Sequence, residues 1–144
     1  MKKFIYISMV FAVAVLFTGC KTKQALSASF DDLQGEWGVV ELNGNALNPE
    51  ETHQTMEFDM TRQLISGNAG CNRMSGKVEY NESQKNIIKF SRMITTRKAC
   101  LDMKKEDELL KTLDKVVRFE AAGNEQIAFY GADSSKLLVI EKKK

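Results

Sequence analysis

Three sets of residues in this chain have types that could do chemistry: the cysteines Cys20, Cys71 and Cys100, the lone histidine His53, and the glycine- and asparagine-rich run "SGNAGCNRMSG". A reactive thiol is the first chemistry to weigh. Arg73 follows Cys71 and Arg97 precedes Cys100, and a neighbouring cation lowers a thiol's pKa and raises its thiolate fraction. The spacing argues the other way. There is no Cys-x-x-Cys motif, and the only imidazole that could serve as base sits in a distant polar loop. A zinc site wants about four closely spaced ligands. Two distant cysteines and one histidine do not supply them, so no metal is expected. Glu106, Asp107 and Glu108 are consecutive. A helix turns such neighbours to different faces, and they read as solvated. Gly67, Asn68, Gly70 and Asn72 could form backbone N–H nests for an anion. However, no P-loop Lys-Ser/Thr follows and no βαβ unit surrounds them. Gly and Asn also tolerate positive φ, so the run reads better as a corner or bulge between two strands. Trp37, the sole tryptophan, reads as a buried anchor for the first strand. These residues imply no cofactor and no catalytic set.

The amino-terminal segment suggests a compartment. Residues 1–19 carry Lys2 and Lys3, then an apolar run from Phe4 to Phe17, then Thr18 and Gly19 before Cys20. That is the layout of a secretion signal, and an apolar run of about 14 residues is short of the ~20 that span a bilayer. "LFTGC" resembles a bacterial lipobox. The resemblance implies cleavage before Cys20, with a diacylglyceryl group and an amide-linked acyl chain on that cysteine. Two or more chains give stable anchoring where one is marginal. Lys21, with no Asp there to resemble an inner-membrane retention signal, points to the outer membrane, facing the periplasm. The chain has 21 basic and 19 acidic residues. Without Lys2 and Lys3 the two counts balance, so the mature chain offers no bulk electrostatic case for nucleic acid. With Cys20 lipidated, Cys71 and Cys100 remain, and an even pair in an oxidising compartment reads as a disulfide. A free structural thiol pair and a thiol-redox centre stay open as alternatives.

The elements that must position these residues are mostly strands. Residues 20–30 are polar and small, and read as a tether from lipid to a domain at 31–144. "GEWGVVEL" reads as a strand followed by the turn signal Asn43-Gly44. "NALNPEETHQ" reads as a loop. "TMEFDM" alternates, with Met56, Phe58 and Met60 on one face. Strands are expected at "QLISGNAG", "MSGKVEYN", "NIIKFS", "VVRFE", "EQIAFYG" and "KLLVIEK". Leu109, Leu110, Leu113, Val116 and Val117 fall at helical spacings instead, which predicts one helix over Asp102–Lys115 with Asp102 as N-cap. The fold class is mainly β within α+β: an antiparallel barrel or sandwich of about eight strands with one covering helix.

Several stretches resemble one family. "LQGEWGVVELNG" resembles its opening. "SGNAGCNRMSG" resembles its hallmark Gly-x-x-Gly-Cys-Asn-x-x-x-Gly, on Gly67, Gly70, Cys71, Asn72 and Gly76. "TTRKAC" resembles its Thr-Arg-x-Ala-Cys segment, on Thr96, Arg97 and Cys100. "EDELLKTLDKVVRFEAAGNEQIAFY" resembles its helix and last hairpin. The chain is thereby similar to META domains of the HslJ (heat-shock lipoprotein) type. The resemblance implies a compact antiparallel barrel-like fold in an envelope protein linked to stress tolerance. It implies no known reaction. The expectation is therefore a non-enzymatic, lipid-anchored envelope protein, an interaction or stress-tolerance module with an unidentified envelope protein as partner. A small apolar-ligand binder using the barrel interior is the alternative, on the strength of Met56, Phe58, Met60, Phe90 and Phe129. A thiol-redox protein using Cys71 and Cys100 is a second alternative.

Overall fold

Period-two alternation of apolar residues becomes strand throughout the computed structural model, which describes residues 27–144. The expected signal segment and Cys20 lie outside those residues. The chain enters through a single 3-10 turn, Asp31–Leu33, and then forms β1 (Gly35–Leu42) and the two-residue β2 (Asn45–Ala46). Between them Asn43 and Gly44 both take positive φ, 48° and 82°, as a two-residue type I′ hairpin requires. The next segment, expected to be loop, holds one helical turn, α1 (Pro49–Thr52). Asn48 caps it by accepting from the Glu50 N–H at 3.0 Å, and Pro49 takes the first helical position, where its missing N–H does no harm. His53 ends the turn in the left-handed region and is exposed.

β3 (Thr55–Asp59), β4 (Leu64–Asn68), β5 (Arg73–Tyr80) and β6 (Ile88–Thr95) come next as a meander. The helix α2 (Lys104–Leu113) then leads to β7 (Arg118–Gly123), β8 (Gln126–Tyr130) and β9 (Lys136–Lys142). Every pairing is antiparallel, in the order β6-β5-β4-β3-β1-β9-β8-β7, with β2 on β1. The two ends of this sheet meet at one corner. An Ile87–Arg118 bridge joins them, flanked by hydrogen bonds from Ile88 N–H to Val117 C=O and from Phe119 N–H to Asn86 C=O. The result is a curled half-barrel of eight strands, plus the short β2, with one long helix.

The interior is lined by buried apolar side chains. Met56, Phe58, Met60, Phe90 and Phe129, the side chains that could have lined a ligand space, are all buried. The rings of Phe58, Phe90 and Phe129 lie 5.7–6.3 Å apart between centroids and pack on one another. Each such side chain is worth about 1.5–3 kcal/mol of transfer free energy. Helix α2 closes one side with Leu109 and Leu113, both fully buried. It is shorter than its apolar spacing suggested. Met103, not Asp102, holds the N-cap position, although the Asp102 carboxylate still accepts from the Lys104 N–H at 2.9 Å.

Candidate functional site

The glycine- and asparagine-rich run spans the end of β4, the β4–β5 corner and the start of β5. Asn72 stands at its centre, 1% exposed. All of its hydrogen-bonding capacity is used. Its Oδ1 accepts from Thr96 Oγ1 at 2.8 Å and from Lys98 N–H at 2.7 Å. Its Nδ2 donates to Glu106 Oε1 at 3.0 Å and to Lys98 C=O at 3.4 Å. Its backbone N–H donates to Glu106 Oε2 at 2.7 Å, and its C=O accepts from Ala69 N–H at 2.8 Å. An amide side chain offers two donors and two acceptor lone pairs, and here none is left over. Thr96 extends the network by accepting from the Arg73 N–H at 3.1 Å. Arg97 and Lys98 are themselves exposed.

Glu106 departs from the sequence expectation of a solvated acid. It is 3% exposed, on the same face of α2 as Leu109 and Leu113. Besides the two bonds from Asn72, its Oε2 accepts from the Cys71 N–H at 3.4 Å. The corner does form an anion cradle, then, and the anion is a carboxylate from the chain itself. Three N–H donors face its carboxyl oxygens, and it lies in the first turn of α2. Glu108, two residues on, reaches a different partner, accepting from Asn43 Nδ2 at 2.9 Å. Gln54 joins the same junction as Asn72, fully buried. Its Nε2 donates to Ala69 C=O at 3.0 Å and Lys105 C=O at 2.9 Å, and its Oε1 has no partner among the described residues.

The glycines of the run answer to close approach. A Cβ on Gly67 would sit 2.1 Å from the Thr55 C=O, and its φ of 154° is one that other residues rarely adopt. Gly76 faces a bulge in β6, where the register shifts and Arg92 takes φ 53°. A Cβ there would meet the Ser91 C=O at 2.9 Å. Gly70 donates its N–H to Asn68 Oδ1 at 2.9 Å. The cysteines flank this knot. Cys71 and Cys100 come together at disulfide-bonding distance between sulfurs, with Cα atoms 6.5 Å apart and a sequence separation of 29. Trp37 takes no part in the knot and is 3% exposed. Its Nε1 donates to Leu33 C=O at 2.7 Å, and the Lys142 ammonium lies 4.5 Å from its ring centre.

The structure thus brings Gly70, Cys71, Asn72, Thr96 and Cys100 into one cluster and leaves Trp37 and Arg97 outside it. Sequence reasoning missed Glu106 and Gln54. Glu106 had a signal, since it lies three residues before Leu109 and seven before Leu113 on one helical stripe. Gln54 had none. The arrangement binds two distant segments together. Among the described residues no group of three or more His, Cys, Asp or Glu side chains is placed to hold a metal ion.

Known proteins agree with this reading of the fold. Over its full length the chain aligns with 99% of a protein from Burkholderia xenovorans solved by NMR, at TM-score 0.63 and 16% identity. A crystal structure of a DUF4847 family protein from Bacteroides vulgatus, at 1.00 Å resolution, aligns over 78% of this chain and 94% of its own, at TM-score 0.55 and 10% identity. At these identities the likeness is one of fold. No curated protein matches the chain. The sequence profile of the META domain covers residues 31–144, the whole half-barrel and its helix, and by that match the chain belongs to the META domain family.

Proposed function

We propose that this META domain serves as a non-enzymatic interaction module of the bacterial cell envelope, anchored through acyl chains on Cys20. The observation that carries the reading is the use made of the hallmark residues. Their polar atoms are committed to holding the β4–β5 corner, the segment after β6 and the start of α2 together. A residue whose donors and acceptors are all satisfied internally is poorly suited to proton transfer or nucleophilic attack. What remains for function is the outer surface of a rigid half-barrel. The lipobox-like segment supplies the second support, since an acylated Cys20 would hold that surface at a membrane, by expectation the outer one.

Three experiments test this. Metabolic labelling with a clickable fatty acid is expected to mark the chain and to fail on Cys20→Ser, which should also leave the membrane fraction; unchanged partitioning contradicts the anchor. Crosslinking of intact envelopes and then affinity capture are expected to retain a discrete protein partner. Catalytic turnover by the purified chain that vanishes with Cys71→Ser, in a variant that still folds, would overturn the non-enzymatic reading in favour of a thiol enzyme.

A further inference from the structure

The segment Ser27–Phe30 reads from composition as the end of a tether, yet it lies against the half-barrel with Ala28 and Phe30 packed on the core. Among the described residues its hydrogen bonds are all local. Ser29 donates through its N–H and its hydroxyl to Asp32 Oδ2, at 2.7 and 2.8 Å, and the 3-10 turn closes on Ser29 and Phe30 carbonyls. Among those residues no backbone bond ties it to a strand. Just beyond, Leu33 is fully buried and its carbonyl is held by the Trp37 indole, so the segment hangs from a fixed pivot. Its grip on the domain is the Phe30 ring. That ring stacks on Tyr80 at 4.1 Å between centroids and tilts against Phe119 at 5.4 Å. Tyr80 ends β5 and Phe119 lies at the start of β7, close to the corner where the two ends of the sheet meet.

The segment also divides a trough. On one side is a cleft of about 460 Å³ walled by Phe30 and Phe119, with Glu82 and Lys85 among its lining residues. On the other is one of about 390 Å³ walled by Trp37, Ala121 and Ile127. Ser27 and Ala28 line both. Lifting Ser27–Phe30 about the Leu33 pivot would join the two clefts and empty the slot between Tyr80 and Phe119.

We infer that Ser27–Phe30 is a displaceable strap occupying a docking slot, and that the slot takes an aromatic side chain at the start of a turn in a partner protein, as Phe30 stands at the start of the 3-10 turn. The strap itself defines the chemistry of the occupant, because a flat ring carried on a short backbone segment already fits there. An intramolecular competitor lowers a partner's apparent affinity by the fraction of time the slot is closed. The identity of the occupant as a protein rests on the interaction-module reading; the displaceable strap does not.

The test uses the full chain in lipid nanodiscs and a fluorescein-labelled peptide of residues 25–34. With Phe30→Ala, the peptide should bind saturably, and roughly tenfold more tightly than to the unaltered chain, whose slot is filled. The same peptide with its phenylalanine replaced by alanine should bind neither. Absence of binding to a Phe30→Ala chain that keeps native Trp37 emission and a cooperative melt would overturn the inference, as would equal binding to both chains. If Phe30→Ala fails to fold, Asp32→Asn keeps the ring and weakens only the turn. It should bind the peptide several-fold more tightly than the unaltered chain, and equality would overturn the inference. Failure of the envelope crosslinking experiment would leave these outcomes untouched, so the two readings fail separately.

Discussion

Asn72 and Glu106 are 34 residues apart in sequence, yet the Glu106 carboxylate accepts two hydrogen bonds from Asn72 and a third from the Cys71 N–H. Their chemistry makes isosteric changes informative. Asn72→Asp keeps the shape but replaces two donors with a second carboxylate facing Glu106. Two buried charges of one sign with lost donors should cost roughly 3–5 kcal/mol, read as a fall in the denaturant midpoint. Glu106→Gln turns an amide N–H toward N–H donors that had faced an oxygen, and should cost about 1–3 kcal/mol by the same measurement. Neither residue's role was legible from its type. Asn72 reads as a turn residue because asparagine tolerates positive φ, and Glu106 reads as one of three equivalent acids. What distinguishes Glu106 is helical phase: it shares a stripe with Leu109 and Leu113, whereas Asp107 and Glu108 do not.

Elements were more legible than residues. β1 and β9 coincide with the apolar runs at Gly35–Leu42 and Lys136–Lys142, because apolar patterning over seven or eight residues is a strong local signal. The short elements β2 and α1 escaped. A two-residue strand has no period, and one helical turn has only its cap and its proline to announce it. The corner between β4 and β5 lies where the glycines and asparagines place it, but its reason for glycine is the neighbouring strand rather than the turn alone. Gly67→Ala should therefore destabilise by about 1–3 kcal/mol, since the clash is with the β3 backbone and the φ is unfavourable as well. At the entry to β1, the Ser29 N–H, and then its hydroxyl, hold the Asp32 carboxyl below its ordinary 3.8. A depressed carboxylate pKa stabilises the turn above the unfolded value and loses that contribution as pH falls through the folded one. An NMR titration should place the Asp32 midpoint under 3.8, with the Phe30 and Tyr80 ring signals shifting in the same window; a midpoint at or above 3.8 would contradict the turn's geometry.

At the scale of the molecule, two devices tie the meander β3–β6 to the α2 side of the chain: the Cys71–Cys100 contact and the Asn72–Glu106 pair. A bridge at a sequence separation of 29 should add roughly 3–4 kcal/mol by constraining the unfolded chain, so thiol reduction should lower the melting temperature without abolishing folding. The hydrogen-bonded pair would still close the same corner. Strand count and helix count were legible because they grow out of local patterns, whereas the β1–β9 pairing, which sets Trp37 opposite Lys142, and the knot that joins chain segments 34 residues apart do not. The family's hallmark residues lock these segments together as one unit. A double-mutant cycle on Asn72→Ala and Glu106→Ala, read by chemical unfolding of the whole chain, measures this directly. The expected coupling energy is about 1–3 kcal/mol. Two losses that simply add, to within about 0.5 kcal/mol, would contradict it.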